Sequence, residues 1–356
     1  MDSTETATLQ AEKIDFHVHC ASGDEAGLAA LLRCNRSTGI SKAVLLALRN
    51  PQATVEDVRR INDWVLSASA RHPSEIVPFV TILESDEHAA TMLREYVDRG
   101  ARGLKLIGWT GACIRQFDYD LLGPTMQAVF RTAEACSLPV LIHLYLGIAD
   151  EDESERSSAG AEHAILGGPY RDYLSELNQL LSAHPGLTLV LAHFGLGFDE
   201  KRLPRLHELL ARHSNLYLDT SLYGGARVKW FGKASRRAEA LAETVTLFPR
   251  QVLFGTDNFG SRQRAERVYR DAVRASCLHL ACSRFVCPEL QAADSTGSAA
   301  AAGAREASAR MAGSVGRSRV GTAKDDGAAL NGLDLQSSPA LLRAVLFENA
   351  SRLLQR

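Results

Sequence analysis

Residues 13–20 read KIDFHVHC, and this stretch decides the fold. Ile14, Phe16 and Val18 alternate with Asp15, His17 and His19, the period-two pattern of a β-strand. Two histidines at i and i+2 on a strand project to one face, where their imidazoles are close enough to share an ion. Three later apolar segments also end in a histidine or an aspartate. His143 closes PVLIHL, His193 closes LTLVLAH, and Asp257 follows QVLFGT.

Outward from the first strand the chain repeats one unit, an apolar strand followed by an amphipathic helix. The pattern predicts strands over 42–48, 76–82, 102–107, 139–144, 187–193, 215–220 and 251–256. It predicts helices over 55–71, 86–99, 120–136, 170–184, 200–213 and 236–247. Pro78 is an awkward residue for a central strand, because it has no N–H to give to a ladder. Eight strands alternating with helices imply an α/β fold with a parallel sheet, and their number favours a closed (β/α)8 TIM barrel forming a single domain. In such a barrel the catalytic groups sit at the C-terminal ends of the strands. His17, His19, His143, His193 and Asp257 all fall there, with Asp257 expected across the mouth from the histidine pair. Burying five such groups unpaired would cost several kcal/mol, so the set reads as one metal site. By contrast, His72, His184 and His213 stand where helices end in basic side chains, suited to the negative end of the helix dipole, and read as helix-end residues.

Residues 1–12 read as a flexible polar tail, 13–290 as the barrel, and 291–338 as a disordered insertion. The insertion is rich in Ala, Gly and Ser and too poor in large apolar residues to offset its ordering entropy. Residues 339–356 read as a helix whose Leu342, Val345, Leu346, Leu353 and Leu354 should pack on the barrel's outside.

Composition narrows the function. The 356 residues are 46% hydrophobic, and 40 Lys+Arg against 42 Asp+Glu leave a net charge of −2, which offers no basic footprint for nucleic acid. No apolar run approaches the ~20 residues that cross a bilayer. The polar N-terminus shows no signal core, and the seven cysteines are irregularly spaced. A cytoplasmic protein with reduced thiols is expected.

Taken together, IDFHVH, GARGLKLIGW, LPVLIHL, LVLAHFG, LFGTDN and the closing FENASRLL resemble the amidohydrolase-related (amidohydrolase 2) branch of the amidohydrolase superfamily. The resemblance implies that His17, His19, His143 and Asp257 are ligands of a divalent metal, zinc or a similar ion, and that His193 lies beside it as an acid/base group or further ligand. Asp257 then doubles as the proton acceptor for a metal-activated water. Lys105 has two readings: a carboxylated lysine bridging two metals, or an ammonium that meets a substrate carboxylate. The metal count, one or two, stays open with it. Trp109, Arg115, Arg227 and Lys229 are further candidates for contacts with a small, anionic substrate.

The leading expectation is a metal-dependent hydrolase cleaving a C–N or C–O bond of an amide, cyclic amide or lactone. A decarboxylase or other lyase of the same superfamily is the alternative, because the ligand motifs are shared. A catalytically idle binding barrel is a third reading. The related TatD-type nucleases usually present a glutamate where this chain has Lys105. The expected partner is a small molecule, neither nucleic acid nor membrane, and a homo-oligomer is compatible with the sequence.

Overall fold

The structure, a computed structural model, describes residues 11–50, 52–107, 120–144, 173–196, 202–221, 234–259, 340 and 343–355. Its strands are β1 (Lys13–His19), β2 (Ile40–Leu46), β3 (Ile76–Thr81), β4 (Gly103–Ile107), β5 (Val140–His143), β6 (Leu189–Leu191), β7 (Leu216–Asp219), β8 (Val252–Leu253) and β9 (Asn258–Phe259). All pair in parallel, in the order β8-β7-β6-β5-β4-β3-β2-β1-β9. Between them run α1 (Glu25–Ser37), α2 (Val55–Arg71), α3 (Ala89–Asp98), α4 (Pro124–Ala135), α5 (Tyr173–Ala183), α6 (Arg202–Arg212) and α7 (Ala234–Leu247). Start signals in the sequence explain their positions: Asp24 caps α1, Thr54 and Asp57 form a capping box on α2, and Pro124 opens α4.

The barrel closes through an eighth strand made of two pieces. The Phe16 N–H donates to the Phe254 carbonyl and the Asp257 N–H to the His17 carbonyl, both at 2.8 Å. Val18 and His19 then pair with Asn258 and Phe259 of β9. β8 and β9 are thus one strand, broken at Gly255–Asp257 where Asp257 adopts φ 54°. Asp257 lies on the strand adjacent to β1 and not across the mouth, because closure of a (β/α)8 barrel brings its last strand against its first.

Pro78 fits because of register. Phe79 is the residue opposite Gly103, where β4 begins, so the missing N–H of Pro78 faces a place with no strand partner. Its carbonyl still accepts from the Arg102 N–H at 2.9 Å. Phe79 fills the barrel below the site, edge to face with Phe16 at 5.5 Å between centroids. Gly103 makes room for it: a Cβ there would lie 2.2 Å from the Phe79 ring.

The C-terminal segment, expected as a helix on the barrel's outside, packs on the barrel with Val345, Leu346 and Leu353 buried. A π-turn (Ala344–Glu348) runs into α8 (Asn349–Leu354), and together they sit against the seam between β1 and β8. The Phe254 N–H donates to the Val345 carbonyl, and the buried Asn349 amide donates to the carbonyls of Pro249 and Val252. Ala350 and Leu353 join Ile14, Phe16 and Leu253 in one apolar cluster. Among the described residues, β8 below its break receives only the Phe16 N–H from β1 on that side, and these contacts satisfy more of its backbone. Residues 1–10 of the flexible tail expected over 1–12, the insertion at 291–338 and the start of the last helix lie outside the described residues.

His72, His184 and His213 do end helices, their N–H groups donating back to Ala68, Leu180 and Leu209. His184 is also held by Glu134 and Gln127, and His213 by Asn178.

Candidate metal centre

Nε2 of His17, Nε2 of His19 and Oδ1 of Asp257 form a nearly equilateral triangle, with edges of 3.2, 3.3 and 3.3 Å. All three residues are buried. An ion held at about 2.0–2.2 Å by three donors, at octahedral to tetrahedral angles, needs donor separations of about 2.8–3.6 Å. The triangle fits such an ion, and two imidazoles plus one carboxylate suit zinc or another divalent transition metal. Local backbone explains how Asp257 reaches its corner. Gly255 passes so close to His17 that a Cβ would lie 3.0 Å from the His17 Cβ. The following residues are tied to β1 by Asp15, whose Oδ1 accepts from the N–H of Thr256 (3.0 Å) and of His17 (3.1 Å) and whose Oδ2 accepts from the Thr256 hydroxyl (2.6 Å).

A second layer orients the imidazoles. Nδ1–H of His17 donates to Asp219 Oδ2 at 2.7 Å, which leaves Nε2 as the lone pair that faces the triangle. This is the carboxylate–histidine arrangement that fixes the tautomer of a metal ligand. Asp219 Oδ1 accepts from the N–H of His193 (2.8 Å), from the N–H of Ser221 (3.0 Å) and from the Ser221 hydroxyl. Nδ1 of His193 lies 2.8 Å from the Ser221 carbonyl. A carbonyl only accepts, so Nδ1 carries the hydrogen and Nε2 of neutral His193 is a lone pair. The sequence segment AHFG makes this possible, because His193, Phe194 and Gly195 all take left-handed φ values of 55–60°. Two non-glycine residues in that region are costly; the bond to Asp219 and the full burial of Phe194 hold them there.

His17, His193 and Asp219 also have possible donor atoms within 4.8 Å of one another. Nδ1 of both histidines and both oxygens of Asp219 are engaged in the hydrogen bonds just described, so we read this trio as the support of the first site. His143 joins the same mouth, its ring edge to face with His193 at 4.6 Å between centroids. Lys105, opposite Thr81 and Leu141 in the sheet, is buried on the inner face of β4.

With the site's geometry in place, comparison with known proteins fixes the family. The amidohydrolase family model (amidohydrolase 2) matches residues 14–356. The chain belongs to that family. No curated protein matches the chain significantly. Among solved structures it is similar to 2,6-dihydroxybenzoate decarboxylase from Rhizobium, at 15% identity and TM-score 0.53 over 97% of this chain and 99% of that one. It is similar also to a dihydroxybenzoic acid decarboxylase from Polaromonas sp. JS666 with bound manganese and the inhibitor 2-nitroresorcinol, at 16% identity and TM-score 0.54 over 97% of each chain. A structure of amidohydrolase II matches at 15% identity and TM-score 0.54, over 97% and 100% of the two chains. At these identities the likeness shows the shared barrel.

The electrostatics fit a centre built for a cation. Burial opposes ionisation of Asp257, yet hydrogen bonds from His17 and His19 and the charge of His17 hold its carboxyl well below the usual range. Burial lowers His19 to about 4 and lowers His143 and His193 as well, so these imidazoles are neutral, the form that binds metal. His17 is the exception. Burial and Lys105 push it down, but Asp219 and Asp257 outweigh them and raise it.

Of the residues singled out in the sequence, the structure brings His17, His19, Asp257, His193, His143 and Lys105 to one mouth. Trp109, Arg115, Arg227 and Lys229 lie outside the described residues. Sequence reasoning missed Asp219, Ser221, Asp15 and Thr256. The signal for Asp219 was present: LYLDTS ends the seventh strand on an acid, the same position that marked Asp257 on the eighth.

Proposed function

We propose that this chain is a metal-dependent lyase that releases carbon dioxide from a small organic acid. The observation that carries the reading is the triangle of His17 Nε2, His19 Nε2 and Asp257 Oδ1 with a neutral His193 beside it. We take His143 as a fourth ligand. A divalent ion bound there, zinc by its donor set or manganese as in the Polaromonas decarboxylase, supplies a Lewis acid for the negative charge that develops on the substrate.

The chain's own residues do the rest. Decarboxylation breaks one carbon–carbon bond, leaves its electron pair on the ring or chain carbon, and needs one proton there. Neutral His193 would take that proton from water on its Nε2 and pass it to the carbon. Its Nδ1–H is fixed on the Ser221 carbonyl, so exchange is confined to Nε2. Asp219 orients both His17 and His193 through separate oxygens. Support for a lyase over a hydrolase comes from the two dihydroxybenzoate decarboxylases that match the chain from end to end. Hydrolysis of a C–N or C–O bond is the second reading, favoured by Asp257, whose left-handed turn sets a carboxylate where it could take a proton from water. No helix of the described residues is long and apolar enough to cross a membrane, and we place the protein in the cytoplasm.

The test is turnover of a panel of hydroxybenzoic acids, lactones and amides by metal-loaded protein in ¹⁸O-labelled, deuterated water. The lyase reading expects carbon dioxide and a product with one new deuterium on carbon. Label in the product without carbon dioxide would move the protein to the hydrolases.

A further inference from the structure

Elsewhere in the molecule, buried cations meet acceptors. Lys13 donates to the carbonyls of Ala11 and Thr38, and Arg49 to the Ile82 carbonyl and the Glu84 carboxylate. Lys105 is different. It is 1% exposed, and its Nζ finds no hydrogen-bond acceptor among the described residues. The nearby carboxylates do not supply one. Both oxygens of Asp219 are engaged by His17, His193 and Ser221, and Oδ1 of Asp257 faces His17 and His19. Lys105 still feels the field of Asp219 and Asp257 and acts in turn on His17, His19, His143 and His193. The ammonium therefore belongs to the interior of the mouth, on the wall formed by β4.

A buried ammonium without an acceptor is costly. Burial also pushes Lys105 down to about 8, so the folded chain opposes a charge that the unfolded chain accepts freely at neutral pH. A methionine of similar length would bring no ammonium to bury. The position makes physical sense if an anion completes it.

We infer that Lys105 is the anion-recognition residue of this site, its ammonium receiving the carboxylate of a small organic acid. The inference rests on the reading proposed above and adds the residue that selects acids over their carboxyl-free counterparts. It accounts for an ammonium sharing a pocket with a cation-binding triangle, because a carboxylate placed among them is attracted to both. The exclusion also follows: a neutral phenol or amide would leave Nζ buried without a partner.

Binding tests this without turnover. Metal-loaded wild type, Lys105→Met and Lys105→Gln would be titrated calorimetrically with benzoate, salicylate and 2,6-dihydroxybenzoate, and with phenol and resorcinol. Metal content and far-ultraviolet circular dichroism would be matched first. The expected result is at least a tenfold preference of wild type for an acid over its carboxyl-free partner. Both variants should lose at least tenfold in acid affinity and change less than twofold toward the phenols. Acid affinity unchanged in a folded, metal-loaded variant would overturn the inference, as would a wild type that binds none of the acids or does not prefer them. Carbon dioxide release on the same samples separates the two claims. Lys105-dependent acid binding without release from any acid would remove the lyase reading alone. Release with undiminished acid affinity in Lys105→Met would remove the role of Lys105 alone.

Discussion

Replacing Asp219 with asparagine should weaken metal binding by about 10–100-fold, or about 1.4–2.8 kcal/mol, the usual effect of losing an outer-layer partner of a ligand histidine. The structure says why. Asp219 accepts from four donors with two oxygens, Oδ2 serving His17 Nδ1 and Oδ1 serving His193 N, Ser221 N and Ser221 Oγ. Asparagine has one oxygen. If that oxygen keeps the three donors on the Oδ1 side, the amide hydrogens turn toward His17 Nδ1. His17 then becomes an acceptor at Nδ1 and carries its hydrogen on Nε2, the corner of the ligand triangle. An ion can bind only after the tautomer is reversed against that hydrogen bond. The opposite amide orientation keeps His17 correct but leaves the N–H groups of His193 and Ser221 facing hydrogens, at about 1–3 kcal/mol for a buried unmade bond. A competition titration against a chromophoric chelator, with circular dichroism as a check on folding, measures the effect. Metal affinity within twofold of wild type in a folded Asp219→Asn protein would refute the tautomer argument.

Other outcomes can be checked in the same way. Asn349→Ala removes the side chain that donates to the Pro249 and Val252 carbonyls and should destabilise the chain by about 1–3 kcal/mol in urea melts. Gly103→Ala drives a Cβ into the Phe79 ring and should cost about 1–3 kcal/mol through overpacking. In chelator-treated protein, burial raises Asp15 from 3.8 to about 7. The folded state therefore holds that proton more tightly than the unfolded one. The contribution is full below about pH 4 and is lost as pH rises through 7. Asp15→Asn should remove that downward slope, so a variant whose stability follows the wild-type profile between pH 4 and 7 would contradict the assignment.

Much of this was legible because barrel strands are short and apolar and because a ligand must stand where a strand ends. KIDFHVHC declares its two inward histidines through alternation alone. Asp219 was harder to see for a physical reason. It touches no ion, and its value lies in contacts with His17 and His193, residues 202 and 26 positions away in the chain. Local pattern marks Asp219 as a strand-end acid but does not show which residues it pairs with. Asp15 was hidden by the same distance: its partner Thr256 is 241 residues away, and alternation shows only that it shares a strand with the histidines. The placement of Asp257 followed from closure. Read strand by strand it is expected across the mouth from the histidine pair, whereas joining the last strand to the first makes them neighbours and brings one carboxylate oxygen within 3.3 Å of both imidazoles. That adjacency has a consequence for the chemistry. The ion-binding triangle occupies the β1–β9 side of the barrel, and Lys105 stands on β4, three strands from β1 through β2 and β3. A substrate acid would lie between these walls, with the left-handed His193 turn after β6 completing the rim. Orientation in the site would then be set by charge at the β4 wall and by the ligand triangle at the other, which is why Lys105 and Asp219 should fail in different ways: the first in choosing the acid, the second in holding the ion.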